Sequence, residues 1–249
     1  GATVREFAVF VSGLMMGRLT RDLDEVVTKT TAGIILLPAE HYLVTRGSRD
    51  QASQDRIGKS ACDQCSYCTE LCPRYLMGYE VMPHKVMRSL VFSASGAENW
   101  NEWADLCCAC GLCTLYACPE DLYPREACVG AKVDLRSAGR KHQQEKPVRP
   151  HPMKEYRRVP LSQLRHRLKV EEYEREAPYE AGFGQPARVK ILLSQHVGAP
   201  AQAVVRPGQS VKAQDLVGQV PAGQLGADIH ASIDGKVERV TPEYVVIGG

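Results

Sequence analysis

The stretch that decides the fold is CDQCSYCTELCP, residues 62–73, in which three cysteines recur at every third position before a Cys-Pro pair. A second stretch, CCACGLCTLYACP at residues 107–119, repeats the pattern with one extra residue before its last cysteine. Cysteines at this spacing wrap a tight loop around a metal cluster, and the backbone N–H groups of such a loop point at the sulfur atoms. The repeat therefore predicts two metal centres.

The spacing of the first stretch is that of bacterial ferredoxins, in which the fourth cysteine of a run ligates the neighbouring cluster. The same exchange here predicts two [4Fe-4S] clusters side by side. One takes Cys62, Cys65, Cys68 and Cys118, and the other takes Cys107, Cys110, Cys113 and Cys72. The extra residue before Cys118 leaves the role of that cysteine open. Iron–sulfur clusters exchange single electrons, so the predicted function is electron transfer between partner redox centres.

Zinc is the alternative occupant, because C-x2-C knuckles also hold zinc tetrahedrally. Zinc sites usually pair two such knuckles, whereas triple knuckles followed by Cys-Pro occur twice here, which favours iron–sulfur clusters. Disulfides are disfavoured in a chain with cytosolic character. Two cysteines remain. Cys108 would break the spacing to Cys110 if it replaced Cys107, and Cys128 is interpreted as a small buried hydrophobic residue.

Composition and charge exclude several function classes. The 249 residues include 31 basic and 29 acidic ones, a net charge of +2 that gives no signature of nucleic-acid binding. Apolar runs such as residues 32–39 are much shorter than the ~20 residues of a membrane-spanning helix. No signal peptide is recognisable, so a cytoplasmic location is predicted, and the start in mid-pattern at Gly1 suggests a preceding part. The sequence shows no Ser-His-Asp set, paired carboxylates or P-loop, so no catalytic residue is predicted.

Composition also divides the chain into four regions and predicts an α+β fold class. Residues 1–50 alternate β-branched runs with glycines and are interpreted as the C-terminal remnant of a β-rich, flavin- or ligand-binding region. Residues 51–140 contain every cysteine and are predicted to form a helical, ferredoxin-like domain with two clusters. Residues 141–186 are a charged, proline-punctuated connector with one short helix. Residues 187–249 are predicted to form a compact β module of two packed sheets.

Local patterns place the elements within these regions. Helices are predicted from Pro83, from Pro124 towards Leu135, and over residues 161–168. Strands are predicted at residues 7–11, 13–17, 26–28, 33–38, 189–193, 203–205, 216–220 and 237–240.

The two cysteine stretches, the segments at residues 13–17 and 26–34 before them, and residues 159–168 after them together carry a family resemblance. They resemble the C-terminal part of the flavin and iron–sulfur cobalamin reductases of propanediol-utilising bacterial microcompartments. That family is related to the C subunit of the Rnf electron-transport complex and, more distantly, to the NADH-binding flavin subunit of respiratory complex I.

The final module resembles a barrel-sandwich hybrid of the lipoyl and biotinyl type, through residues 206–213 and 229–237. The hairpin region between them, residues 220–228, contains no lysine, so the module is predicted to dock rather than to carry lipoate or biotin. In the Rnf protein this module lies at the N terminus. Its position after the cysteines here therefore favours the reductase.

The resemblance implies an oxidoreductase in which NADH delivers hydride to FMN and two clusters pass single electrons on to the cobalt of a corrinoid. FMN and NADH are implied only for the longer protein, whose Gly-rich nucleotide-binding region would precede Gly1. The implied partners are cobalamin, a corrinoid adenosyltransferase and microcompartment shell or redox proteins, and the implied location is inside a microcompartment in the cytoplasm. The alternatives are a C subunit of an Rnf-type complex and a non-redox docking protein stapled by zinc.

Overall fold

The computed structural model describes residues 6–91, 101–176, 178–181, 184 and 186–249. The chain forms two compact units. The first comprises Gly1–Arg21 and Ile35–Arg175, and the second comprises Asp22–Ile34 and Glu176–Gly249. The cysteine stretches thus share a unit with most of the region that precedes them. Over the described ranges, no helix combines the length and apolar character needed to cross a membrane.

A small sheet begins the first unit, with its strands in the order β2-β1-β3. The strands are β1 (Phe7–Val11), β2 (Arg18–Thr20) and β3 (Ile34–Pro38). The first two pair antiparallel, with Phe10 opposite Leu19. The turn between them requires glycine at position 17, because a Cβ atom there would lie 2.1 Å from the carbonyl oxygen of Val11.

Short helices make up most of the rest of the first unit. They are α1 (Tyr42–Gly47), α2 (Gln51–Ala61), α3 (Tyr67–Glu70), α4 (Pro73–Leu76), α5 (Pro83–Ser89), α6 (Pro124–Ser137) and α7 (Leu161–Leu168), with 3-10 turns at Glu102–Ala104 and Glu171–Tyr173 and a π-helical turn at Cys113–Ala117. Proline begins α4, α5 and α6, at a position where its missing N–H has no intrahelical partner in any case. Asp50 caps α2, since its Oδ1 atom accepts a 2.8 Å hydrogen bond from the Ser53 backbone N–H.

Two apolar clusters hold the first unit together. One joins α5 and α6 around the second cysteine stretch, and includes Val86, Met87, Ala127 and the fully buried Cys128. The other joins the sheet to α1, the π-helical turn and α7, through Phe10, Leu37, Val44, Leu115 and Leu168. Because the cysteine-bearing segments contribute to both clusters, apolar packing fixes where the thiols lie.

The second unit contains two sheets that share one apolar core. Its strands are β4 (Arg188–Leu192), β5 (Gln202–Ala203), β6 (Ser210–Val211), β7 (Leu216–Gln219), β8 (Ile229–His230), β9 (Gly235–Val240) and β10 (Tyr244–Gly248). The sheet orders are β4-β10-β9-β6 and β5-β7-β8. Val217 and Ile229 from the smaller sheet and Val237 and Val245 from the larger one belong to the same core. The described strands form two sheets rather than a closed barrel, and the predicted mixture of helices and strands is confirmed.

Two predicted strands are wrong. Residues 13–17 and 26–28 form no strand in the described structure. At residues 26–28 the threonine side chains compete with sheet pairing, since the Thr28 backbone N–H donates to Thr31 Oγ1 at 3.1 Å. Helices α1 and α2 and strand β10 were not predicted. The His41 side chain caps α1, with Nδ1 accepting from the Leu43 backbone N–H at 3.1 Å.

Candidate metal-cluster centre

The two cysteine loops have the same unusual backbone. In the first loop the residues on either side of the middle cysteine, Gln64 and Ser66, have left-handed φ angles of 61° and 65°. In the second loop the equivalent residues, Ala109 and Gly111, have φ angles of 53° and 82°. A left-handed conformation costs a non-glycine residue about 1–2 kcal/mol. Alternation of this kind turns successive N–H groups towards one point, the concave "nest" that is found at many iron–sulfur sites.

Both cysteine stretches contain hydrogen bonds to sulfur. The Ala109 N–H donates to Cys107 Sγ at 3.3 Å, and the Leu122 N–H donates to Cys118 Sγ at 3.3 Å. In the first loop the side-chain amide of Gln64 donates to Cys62 Sγ at 3.1 Å. Donors of this kind stabilise negative charge on the thiolates, and they are one means by which proteins raise cluster potentials.

The extra residue of the second stretch is absorbed by the π-helical turn at Cys113–Ala117. The Cys118 N–H donates to the Cys113 carbonyl oxygen at 3.2 Å, which closes a turn one residue longer than an α-helical one. The backbone then extends at Cys118 (φ −77°, ψ 117°) much as it does at Cys72 (φ −68°, ψ 120°). The insertion therefore leaves the two last cysteines in equivalent conformations, each followed by proline.

One group of thiols combines three cysteines of the first stretch with the last cysteine of the second. Burial raises the pKa of Cys68 to about 12, and the nearby charges of Cys118, Cys62 and Cys65 act in the same direction. Partial desolvation also raises the pKa of the exposed Cys65, with a contribution from Cys118. Burial raises the pKa of Cys118 as well, and the nearby charge of Cys62 adds to this effect. These four thiols are thus electrostatic neighbours.

The other group combines three cysteines of the second stretch with the last cysteine of the first. Burial raises the pKa of Cys72 to about 11, and among charged groups Cys107 and Cys110 add to this effect. Burial likewise raises the pKa of Cys113 well above its ordinary value, assisted by Cys107, Cys68, Cys72 and Cys110. The influence of Cys68 on Cys113 shows that the two groups are adjacent.

Of the two remaining cysteines, Cys108 is exposed and Cys128 is completely buried. A hydrogen bond from Cys128 is the largest cause that lowers the pKa of Cys107 to about 6. The contact is a feature that sequence reasoning missed, because it depends on how α6 packs against the second cysteine loop. Cys128 is therefore more than a small apolar side chain.

Three basic side chains anchor the second cysteine stretch and the loop that follows it, and none was singled out from the sequence. Lys132 Nζ donates to the Cys107 carbonyl oxygen at 2.7 Å, and Arg167 Nη2 donates to the Cys118 carbonyl oxygen at 2.9 Å. The third, Arg46, donates to the carbonyl oxygens of Asp121, Leu122 and Thr114. These contacts hold the loop ends in place and bring positive charge near the thiols.

The residues present suit iron–sulfur clusters in the chemistry of their donors. Two sets of four thiols lie among N–H donors and cationic side chains, which oppose the effect of burial on the thiol pKa values and stabilise the thiolate form that binds iron. Among the described residues, no three His, Cys, Asp or Glu side chains are grouped so as to hold a single metal ion. A [4Fe-4S] cluster bonds each cysteine to a different iron corner, so its ligands stand farther apart than those of one ion.

Comparisons with known proteins agree with this centre. Residues 61–123 match the family described as a 4Fe-4S dicluster domain, and residues 172–249 match the RnfC barrel sandwich hybrid domain. The chain thus contains an iron–sulfur electron-transfer segment. The family resemblance is confirmed as well: the chain is homologous to an oxidoreductase, cobalamin reductase PduS.

The similarity extends over nearly all of the chain. It is 35% identical to the cobalamin reductase PduS of Citrobacter freundii and 36% identical to that of Salmonella typhimurium, in both cases over 99% of this chain and 54% of the relative. The chain therefore spans about half the length of these relatives. The C subunit of the Na(+)-translocating ferredoxin:NAD(+) oxidoreductase complex of Acetobacterium woodii is 40% identical over 68 residues, which are 26% of this chain and 15% of that protein.

Proposed function

We propose that this chain is the electron-transfer part of an NADH-dependent flavin and iron–sulfur cobalamin reductase. In this proposal two [4Fe-4S] clusters relay single electrons from FMN, bound elsewhere in the longer protein, to the cobalt of a corrinoid. Such clusters, when bound, accept and release one electron at a time without a proton or a group being transferred. The chain's own residues bind the clusters, exclude water from them and adjust the charge around them.

The exchange of the last cysteines between the two stretches carries the proposal. Cys118 is an electrostatic neighbour of the first three cysteines, and Cys72 is a neighbour of the second three. Two zinc sites, each built from its own stretch, would not require that exchange. The crossed arrangement supports the predicted ligand sets, Cys62, Cys65, Cys68 and Cys118 for one cluster and Cys107, Cys110, Cys113 and Cys72 for the other.

Homology supports the remaining parts of the proposal. The relatives with the name cobalamin reductase make a corrinoid the proposed acceptor. FMN, NADH, a corrinoid adenosyltransferase and microcompartment shell proteins come from the family resemblance, as does a place inside a microcompartment. The C-terminal module is proposed to dock, since residues 220–228 contain no lysine that could carry lipoate or biotin.

The first test is iron and acid-labile sulfide analysis of protein purified anaerobically, combined with electron paramagnetic resonance of the reduced state. We expect brown protein that bleaches on reduction and holds about eight irons per chain. In a second step, reduced protein mixed with cob(III)alamin should produce cob(II)alamin at the rate at which the clusters reoxidise, one electron per corrinoid. Colourless protein that contains zinc would instead identify a docking protein without a redox role, stabilised by zinc.

A second candidate is a C subunit of an Rnf-type complex. It is favoured by the match to the RnfC barrel sandwich hybrid domain and by the partial similarity to the Acetobacterium protein. Affinity purification from cells that express the full-length protein separates the two candidates. Recovery with a corrinoid adenosyltransferase or shell proteins supports the reductase, whereas recovery with membranes supports the Rnf-type protein.

A further inference from the structure

A cavity of about 250 Å³ lies in the first unit beside the π-helical turn. The β1–β2 turn, α1, α2 and the start of α6 enclose it together with that turn. Apolar side chains such as Phe10 and Leu43 form part of its wall. Its polar lining consists of Arg18, Arg46, Gln54, Thr114, Arg125 and Glu126, with the phenol of Tyr123. The cavity is therefore polar on one side and apolar on the other.

Four of these side chains each bear a buried polar atom that has no hydrogen-bond partner among the described residues. The atoms are Arg46 Nε, Gln54 Oε1, Tyr123 Oη and Arg125 Nε. Arg46 and Gln54 are each only 7% exposed, and Tyr123 is 3% exposed. Leaving such a group unsatisfied costs about 1–3 kcal/mol, and buried polar atoms in native proteins nearly always have a partner. Four such atoms belong to side chains that line one cavity, and a polar occupant would supply the missing partners.

The charge around the cavity selects an anion. Its lining includes three arginines, of which Arg18 and Arg125 already have interaction partners, and one carboxylate, Glu126. That carboxylate is already engaged, because Glu126 Oε2 accepts from Thr114 Oγ1 at 2.7 Å and Oε1 accepts from Arg125 Nη1 at 3.3 Å. Arg46 donates only to backbone carbonyls within the described residues, and its guanidinium lies 4.3 Å from the centre of the Tyr123 ring. A buried guanidinium without a carboxylate partner is stabilised by a bound anion.

The unpaired atoms limit which kind of anion can bind in the cavity. Arg46 Nε and Arg125 Nε can only donate, and Tyr123 Oη can also donate. Gln54 Oε1 can only accept, and its orientation is fixed because Gln54 Nε2 donates to the Arg49 carbonyl oxygen at 2.8 Å. An occupant that satisfies all four needs several acceptor oxygens and one hydroxyl. We propose that this cavity binds a protonated phosphate group, with Arg46, Arg125 and Tyr123 donating to its oxygens and its hydroxyl donating to Gln54. The inference is independent of the proposed electron transfer.

Calorimetric titration of the iron-loaded protein at pH 6, where about half of a phosphate monoester keeps its proton, tests the proposal. Inorganic phosphate and glycerol 3-phosphate are the two probes, which distinguish free phosphate from a phosphate monoester. Sulfate is the comparison, since it has the same shape but no proton at this pH. We expect saturable binding of at least one probe, at least ten-fold tighter than that of sulfate. Binding of neither probe, or equal binding of sulfate, would overturn the proposal.

Two variants and one matched control locate the site. Arg125→Gln should weaken binding at least ten-fold, and Gln54→Leu should abolish the preference for phosphate over sulfate. Arg157→Gln is the control, because Arg157 does not line the cavity and its guanidinium pairs with the Glu70 carboxylate at a distance of 3.2 Å. The Arg157 side chain is 24% exposed, against 26% for Arg125. The visible spectrum of each variant reports whether the fold and the clusters are intact. Equal affinity in the wild type and in both folded variants would contradict this site.

Discussion

Lys132 Nζ donates a 2.7 Å hydrogen bond to the carbonyl oxygen of Cys107, and the charge of Lys132 also contributes to lowering the pKa of that cysteine. A cation here stabilises the added negative charge of a reduced cluster. Two unit charges about 8 Å apart near a protein surface interact by about 2 kcal/mol. Lys132→Met should therefore lower the potential of the cluster at Cys107 by roughly 90 mV, as measured by redox titration with electron paramagnetic resonance.

The matched control for this change is Arg136→Met, which removes a cation from an exposed position on the same helix. Solvent screens an exposed charge, so the potential should hardly move. If both variants shift the potential equally, the effect belongs to the overall charge of α6 and not to the contact with Cys107.

Cys65 and Cys108 allow a clean test of which thiols are ligands, because both are exposed and neither substitution disturbs a core. Cys65→Ala should remove one [4Fe-4S] signal and leave the other, since only one of the predicted sets loses a ligand. Cys108→Ala should leave both signals and the iron content unchanged. Retention of both signals in Cys65→Ala would refute the ligand assignment.

The exchange of the last cysteines makes a separate prediction. Cys118→Ala should remove the same signal as Cys65→Ala, although the two residues belong to different stretches, because both are neighbours of Cys68. Cys72→Ala should remove the other signal. The comparison uses the potentials and g-values of the cluster that survives in each variant. If Cys118→Ala instead removes the cluster that contains Cys110, each stretch binds its own cluster.

The sequence was enough to predict a segment of the 4Fe-4S type, because cluster binding depends on local cysteine spacing. Left-handed residues at Gln64 and Ala109 follow from the demands of a loop with cysteines three residues apart, even though neither residue type favours that conformation. The π-helical turn before Cys118 could not be anticipated. An inserted residue can be absorbed by a bulge, a longer loop or a shifted ligand, and only the packing of Leu115 and its neighbours selects among these.

Contacts between distant segments could not be predicted from the sequence either, because they also depend on tertiary packing. Arg46 in α1 bonds to backbone near Asp121, and Cys128 in α6 contacts Cys107, but nothing local marks either residue. In the second unit, strand β10 lies between β4 and β9. Its apolar run of residues 244–247 was a usable signal that was overlooked, whereas the register shift at Val246 and Ile247 depends on the sheet as a whole.

Destabilisation of the C-terminal module should leave the clusters intact, because the module has a separate apolar core. Ile229 is 1% exposed within that core, so Ile229→Ala should destabilise the module by about 2–5 kcal/mol. Hydrogen exchange of peptides from β7 to β10 should accelerate accordingly, while cluster absorbance stays unchanged at the same denaturant concentration. Leu225→Ala is the control, since this side chain is 82% exposed and its loss should change stability by less than about 0.5 kcal/mol. Bleaching of the clusters in step with the faster exchange would mean that the two units unfold together.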